Sequence, residues 1–162
     1  MTLDWKPLLD PKGPFVSFAS CEEGALDDFV NGAPEFTTAV VRIVRGKRCA
    51  TPERLFQEWA AALQFPSYFG ENWDALEECL SDLEWLPPGG LVLFITRADR
   101  LLESAPEEDL GTLAEILITA ARDWRSSHPI APFHLVFHAE PKDEATARQR
   151  LAVAGLISQA RE

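Results

Sequence analysis

Cations are scarce in this chain of 162 residues: 15 Lys plus Arg stand against 26 Asp plus Glu, for a net charge of -11. Such an excess repels phosphate backbones and anionic headgroups, so direct nucleic-acid and membrane-surface binding are excluded as main roles and a basic partner is expected. Cysteine is scarce too. Cys21, Cys49 and Cys79 are odd in number, widely spaced and never in a CxxC pair, which excludes a disulfide framework and a Cys-based zinc site and leaves reduced thiols. There is no run of 18 apolar residues, and the first fifteen, with Pro7, Pro11 and Pro14, contain no signal-peptide core. A cytoplasmic protein is expected. The GxSxG, GxGxxG and GxxxxGK[ST] patterns are missing, so acyl transfer on that elbow and the common nucleotide cradles lack support, and no cofactor is expected.

What the chain does have is an interior. Hydrophobic residues make up 46% and include 10 Phe and 5 Trp, enough to fill one core at a length near one domain of about 150 residues. Residues 1–36 carry the turn-rich pieces PKGP and NGAP and read as an irregular N-terminal extension, with FVSFA (15–19) as a candidate edge strand or helical turn. The domain proper is expected over 37–140. Its first strand is TTAVVRIV, followed by a helix from Pro52 to Leu63 behind the N-cap Thr51, then a second helix from the N-cap Asn72 to about Leu83. Leu91 to Thr96 and Phe133 to Phe137 are unbroken apolar runs that suit strands buried on both faces. Between them Leu110, Leu113, Leu117, Ala120 and Trp124 form one helical stripe, and Ser104 with Glu107 suggests a capping box around Pro106. Residues 141–162 are expected to add a C-terminal amphipathic helix packed on the domain, through Ala147, Leu151, Ala154 and Leu156. This alternation implies an α/β fold with a parallel sheet.

Few residues suggest chemistry. His134, His138 and Glu140 share part of the HxE pattern of zinc deaminases, but the accompanying PCxxC is missing, and packed strand histidines are the simpler reading. Arg42, Arg45, Lys47 and Arg48 read as a solvated strand edge that discourages edge pairing.

The informative stretch is LQFPSYFGENWDALEECLSDLEW (63–85). At 100° per residue, Trp73, Leu76, Leu80 and Leu83 fall on one side of a helix, and Asp74, Glu78, Ser81 and Asp82 on nearly the opposite side. Glu71, Asp74, Glu77, Glu78, Asp82 and Glu84 are six carboxylates with no Lys or Arg among them. Like charges at i,i+4 oppose the helix by about 0.2–0.5 kcal/mol per pair. The helix N-terminus accounts for Glu71 and Asp74 but not for Glu78 and Asp82, which lie beyond its reach. A solvated acidic face and a face kept for a partner remain as alternatives at this point.

PSYFGENWDAL, with its flanking residues, resembles the signature of the barstar family, intracellular inhibitors of barnase-type ribonucleases, and the element order over about 38–138 is similar to that family's. The resemblance implies a three-stranded parallel sheet packed with helices, and a binding face made by the loop before the second helix and the outer side of that helix. Carried onto matching positions, it implies contacts from Tyr68, Asn72, Asp74 and Glu78, with Gly70 shaping the loop and Glu77 and Asp82 on the same face. A second acidic contact comes in the family from the long helix, where Asp123 is the nearest candidate. Glu78 stands where barstar has its central Asp, and Glu77 and Leu83 where it has tryptophans.

The resemblance implies a monomeric immunity protein, not an enzyme, that blocks a small basic ribonuclease as the antitoxin of a toxin pair. The alternatives are a binding module of the same fold for a non-toxic basic partner, and a hydrolase using Asp74 and Glu78 as an acid–base pair, for which outward carboxylates without a cleft are poorly suited.

Overall fold

The computed structural model describes residues 3–35 and 37–158. Its centre is a parallel sheet of β1 (Val16–Ser20), β2 (Val40–Arg45), β3 (Leu91–Thr96) and β4 (Phe133–Ala139) in the order β1-β4-β3-β2. The two apolar runs are the inner strands. Every residue of β3 and β4 is buried, as a strand covered on both faces requires.

The sheet has four strands where three were expected. The added strand is β1, paired with β4 from Val16↔Leu135 to Ser20↔Ala139. Its partner lies more than a hundred residues away, so nothing local in FVSFA announces the pairing. The stretch expected to be irregular also holds two helices, α1 (Trp5–Leu8) and α2 (Glu23–Asn31). Asp4 caps α1 by accepting from the Lys6 N–H, and Trp5 stacks on Phe29 of α2 at 4.6 Å. Together α1 and α2 cover one face of the sheet through Leu8 and Leu26, against Val92, Phe94 and Val136.

The other face carries α3 (Pro52–Leu63), α4 (Trp73–Asp82), α5 (Glu107–Ser127) and α6 (Glu144–Ala154) over the larger core. Thr51 caps α3 by accepting from the Arg54 N–H, with Pro52 where an N–H is dispensable. The α5 start differs from the capping box expected. Pro106 occupies the cap position without a side-chain bond, and the Ser104 N–H donates to the Ala50 carbonyl instead. Glu107, Glu108 and Asp109 then sit in the first turn, where the helix dipole favours negative charge. Ala147, Leu151 and Leu156 of the C-terminal stretch are buried in the same core as α5. Residues 159–162 of that stretch lie outside the described residues.

After β2 the chain tightens into a 3₁₀ turn at Gly46–Arg48 instead of a hairpin, since β2 runs parallel to β3. A side chain at Gly46 would collide with the Thr96 and Arg97 carbonyls, so only glycine lets β2 leave the sheet there. Among the described residues no helix is long and apolar enough to cross a membrane.

Candidate functional site: the loop before α4 and the outer side of that helix

The loop is shaped from inside. Gln64 ends α3 in the left-handed region at φ 55°, and Phe65 and Phe69 turn inward, 4.8 Å apart edge-on, with Phe65 also meeting Trp85 at 5.8 Å. The Trp85 indole N–H donates to the Leu63 carbonyl at 3.0 Å, tying the end of α3 to the chain beyond α4. With both phenylalanines used as plugs, Tyr68 between them points outward and is 72% exposed, the largest side chain on this rim. A turn closed by the Phe69 N–H on the Pro66 carbonyl holds it there.

Asn72 links loop to helix. Its Oδ1 accepts from the Ala75 N–H at 2.8 Å and its Nδ2 donates to the Gly70 carbonyl at 3.4 Å. Both ends of the amide are therefore engaged within the chain, and this residue positions the site. The left-handed residue of the turn is Glu71, at φ 53°, and not Gly70. A Cβ at Gly70 would sit 3.6 Å from the Ala75 Cβ, ordinary contact, and 3.4 Å from the Asn72 amide.

Along α4 the two sides divide as the wheel requires. Leu76, Cys79 and Leu80 are buried, with Leu83 at the C-cap in the left-handed region at φ 47°, while Asp74, Glu77, Glu78, Ser81 and Asp82 are exposed. Trp73 packs edge-on against Phe56 at 5.0 Å and anchors the first turn. None of the six carboxylates from Glu71 to Glu84 forms an ion pair among the described residues; the pairs formed lie elsewhere. Loss of solvent, followed by the field of Asp82, Cys79, Glu78 and Glu84, raises the Tyr68 phenol above its ordinary pKa. Burial, with Glu78 and Asp82 next, likewise raises the Cys79 thiol. Tyr68 and the distal half of α4 are thus one electrostatic neighbourhood.

The long helix α5 packs beside α4 and leaves two grooves. One, of about 540 Å³, is lined by Ser81, Asp82 and Glu84 on one wall and Asp123, Ser127 and His128 on the other, which brings Asp123 onto the same surface as Asp82. The second, of about 480 Å³, joins Asp74 and Glu77 to Glu115 and Arg122 of α5. Glu115 and Arg122 escaped the sequence reading. They lie seven residues apart, two helical turns, on the flank of the apolar stripe, and that spacing was the signal available. Asp74 opens onto the second groove and Glu78 onto neither, so Asp74 and Glu78 do not line either groove together.

His134 and His138 each have a partner within the fold. His134 Nε2 lies 2.7 Å from the Ser17 hydroxyl; the His138 Nδ1 accepts from the Arg97 N–H, and its Nε2 lies 2.8 Å from the Cys21 carbonyl. Glu140 accepts from the Glu23 N–H. Among the described residues no group of three or more His, Cys, Asp or Glu could hold a metal.

A family model described as barstar, the barnase inhibitor, matches residues 39–138. A search of the curated proteins found no match. Among solved structures, a chain in a structure of Drosophila ORC bound to AT-rich DNA and Cdc6 aligns at a TM-score of 0.48 and 16% identity. The alignment covers 88% of the present chain and 46% of that one, so the chain spans less than half the length of that neighbour.

Proposed function

The chain belongs to the barstar family, and from that premise we propose that it is a cytoplasmic, monomeric inhibitor of a small basic ribonuclease, the immunity partner of a toxic enzyme. One observation carries the reading. Six carboxylates crowd the loop and outer side of α4, none neutralised by an ion pair among the described residues, although like charges one turn apart oppose the helix. Charges left unpaired at a cost to folding are charges kept for a partner.

A ribonuclease concentrates cations where it holds phosphates. Asp74, Glu78 and Asp82 would occupy those subsites as a fixed row, Asp123 would add a carboxylate from α5, and Tyr68 would pack where a base stacks. Asn72 and the inward phenylalanines hold the loop in place before the encounter, so little conformational entropy is lost on binding. Opposite charge on the two surfaces steers association toward about 10⁸–10⁹ M⁻¹s⁻¹, for which barnase with barstar is the standard example. The reading requires no catalysis and no cofactor.

A second reading has its own support. Leu83 stands where the family has a tryptophan and is buried as the C-cap of α4, and Glu77 replaces another tryptophan on the groove wall. A face altered in this way suits a basic partner that is not a toxin. Affinity capture with the purified protein, from lysate and secreted fraction at low and moderate salt, followed by an RNA-cleavage assay of the eluted protein with and without the inhibitor, separates the two. A captured ribonuclease silenced at equimolar inhibitor supports inhibition. A captured basic protein without nuclease activity supports the second reading.

A further inference from the structure

The two edges of the sheet are finished differently. Along β2 the two ends of the outward edge are met by side chains. The Arg45 N–H donates to Glu58 at 3.1 Å, its carbonyl accepts from the Cys49 thiol, and Arg42 folds back onto the Val41 carbonyl at 3.0 Å. Charged side chains and covered rungs are how an edge strand avoids a neighbour.

At the other edge β1 has no such protection. The Leu135 N–H donates to the Phe15 carbonyl and the Cys21 N–H to the Ala139 carbonyl, so the odd-numbered residues of this strand face β4. By alternation the N–H and C=O groups of Val16, Phe18 and Ser20 face away from the sheet, and none has a backbone or side-chain acceptor or donor there among the described residues. VSFAS contains no charge and no proline. Beside this edge runs a groove of about 410 Å³, whose walls are Phe15, Val16 and Phe18 on one side and Leu156 and Ile157 on the other.

Two guanidinium groups stand over the phenylalanines of this strand. Arg148 lies 4.4 Å from the Phe18 ring and is neutralised by Glu144 at 2.8 Å. Arg125 lies 5.4 Å from the Phe15 ring, and its Nε and Nη2 are buried without an acceptor. Arg125 thus sets a positive charge, without an ion pair among the described residues, behind Phe15 at one end of the groove in a protein of net charge -11.

We propose that the free edge of β1 is a second docking site, distinct from the α4 face, which receives an extended segment of another protein as a fifth strand. Open rungs at alternate positions supply main-chain hydrogen bonds, the groove takes the apolar side chains of every second residue, and the uncompensated Arg125 selects a segment with a carboxylate at the Phe15 end. The charge of Arg125 favours an acidic segment as the occupant, and a second copy of the chain, whose Glu22 and Glu23 follow β1, is the competing outcome of the test.

The test uses the full chain and a blocked seven-residue peptide with Val at alternate positions, Thr between them and Glu at both ends, beside a control with Lys at both ends. Amide exchange followed by NMR should slow by about tenfold or more at Val16, Phe18 and Ser20 on addition of the first peptide, and remain unchanged at Ser17 and Ala19. The lysine peptide should need at least about fivefold more to give the same protection. Val16→Pro removes one outward N–H that β4 does not use, and should raise the Kd about tenfold with the melting temperature kept. Arg125→Gln should erase the preference between the two peptides, and it keeps the test decisive if the proline variant fails to fold. No protection at millimolar peptide, or equal response to both peptides, overturns the proposal. So does protection of the same three amides that rises with protein concentration alone alongside a doubled sedimenting mass, since a second copy would then own the edge.

Discussion

Two polar regions of this molecule use their charges in opposite ways. At the carboxyl ends of β3 and β4, Arg97 makes a forked pair with Asp99 at 3.1 and 3.2 Å, a third bond to Asp143, and a backbone bond to His138, while Arg150 reaches the carbonyls of Ala98 and Asp99. Hydrogen bonding to Asp99 is the main cause that raises the Arg97 pKa. The charges of Arg97, Asp99, Asp143 and Arg150 are answered inside the chain, and the result joins β3, β4 and α6. The outer side of α4 has carboxylates too, and among the described residues no cation answers them. A partner's cations are expected where carboxylates are held in place yet left unpaired, and a purely structural role where the partners are already present.

The largest effect is expected on affinity. Asp74→Ala and Glu78→Ala should each weaken binding to the captured partner by about 2–5 kcal/mol, mostly through faster dissociation, because each leaves a basic group of the partner buried and unpaired. The folding stability of both variants should stay within about 0.5 kcal/mol of the parent, since both side chains are exposed. Surface plasmon resonance and urea unfolding on the same preparations measure the two. A loss of stability with affinity intact would make this acidic row structural.

The reverse is expected at the sheet's carboxyl end. Arg97→Ala should lower stability by about 3 kcal/mol, by stranding Asp99, whose side chain is only 7% exposed. Partner affinity should not change. A variant that folds as well as the parent would show that the network contributes nothing measurable.

His134 is buried with one ring nitrogen near Ser17 and the other, Nδ1, without a partner among the described residues. Burial, and secondarily the charge of Arg125, lowers its pKa from the ordinary 6.5 to about 4. The folded pKa lies below the unfolded one, so between these values the unfolded chain binds more protons and stability falls as pH falls. At pH 5 this group alone should cost about 2 kcal/mol relative to pH 7. Urea unfolding at the two pH values should show a smaller drop for His134→Gln than for the parent. An equal drop would place the acid sensitivity in the carboxylates instead.

How much of this was legible in the sequence depends on how local each cause is. The bounds of α3, the Asn72 cap and the division of α4 follow from neighbours within one or two turns, where periodicity and capping chemistry act directly. The β1–β4 ladder is a contact across most of the chain and could not be read from spacing, whereas α2 does carry a signal, Leu26, Phe29 and Val30 at i, i+3 and i+4, that the turn-rich pieces on either side outweighed. The capping box failed because the Ser104 N–H donates to the Ala50 carbonyl, a group in the distant loop before α3. At the site, Tyr68 and the α4 carboxylates were readable from one helix, whereas Glu115 and Arg122 joined it only when α5 came alongside.

The smallest expected effect tests the limit of the acidic face. Glu84 lies past the C-cap of α4, exposed at the end of the groove that holds Asp82 and Asp123. Its field reaches Tyr68, and Asp82 and Glu78 act on the same phenol from within the helix. A charge at such a rim stays in water in the complex, so its Coulomb attraction is screened and little desolvation is at stake. Glu84→Ala should therefore cost under about 1 kcal/mol, almost all of it in the association rate, and the difference should vanish as salt is raised. Stopped-flow association at low and moderate ionic strength measures this directly. A loss as large as that of Glu78→Ala, carried by dissociation, would move the centre of the interface from the middle of α4 to its end, toward the groove shared with α5.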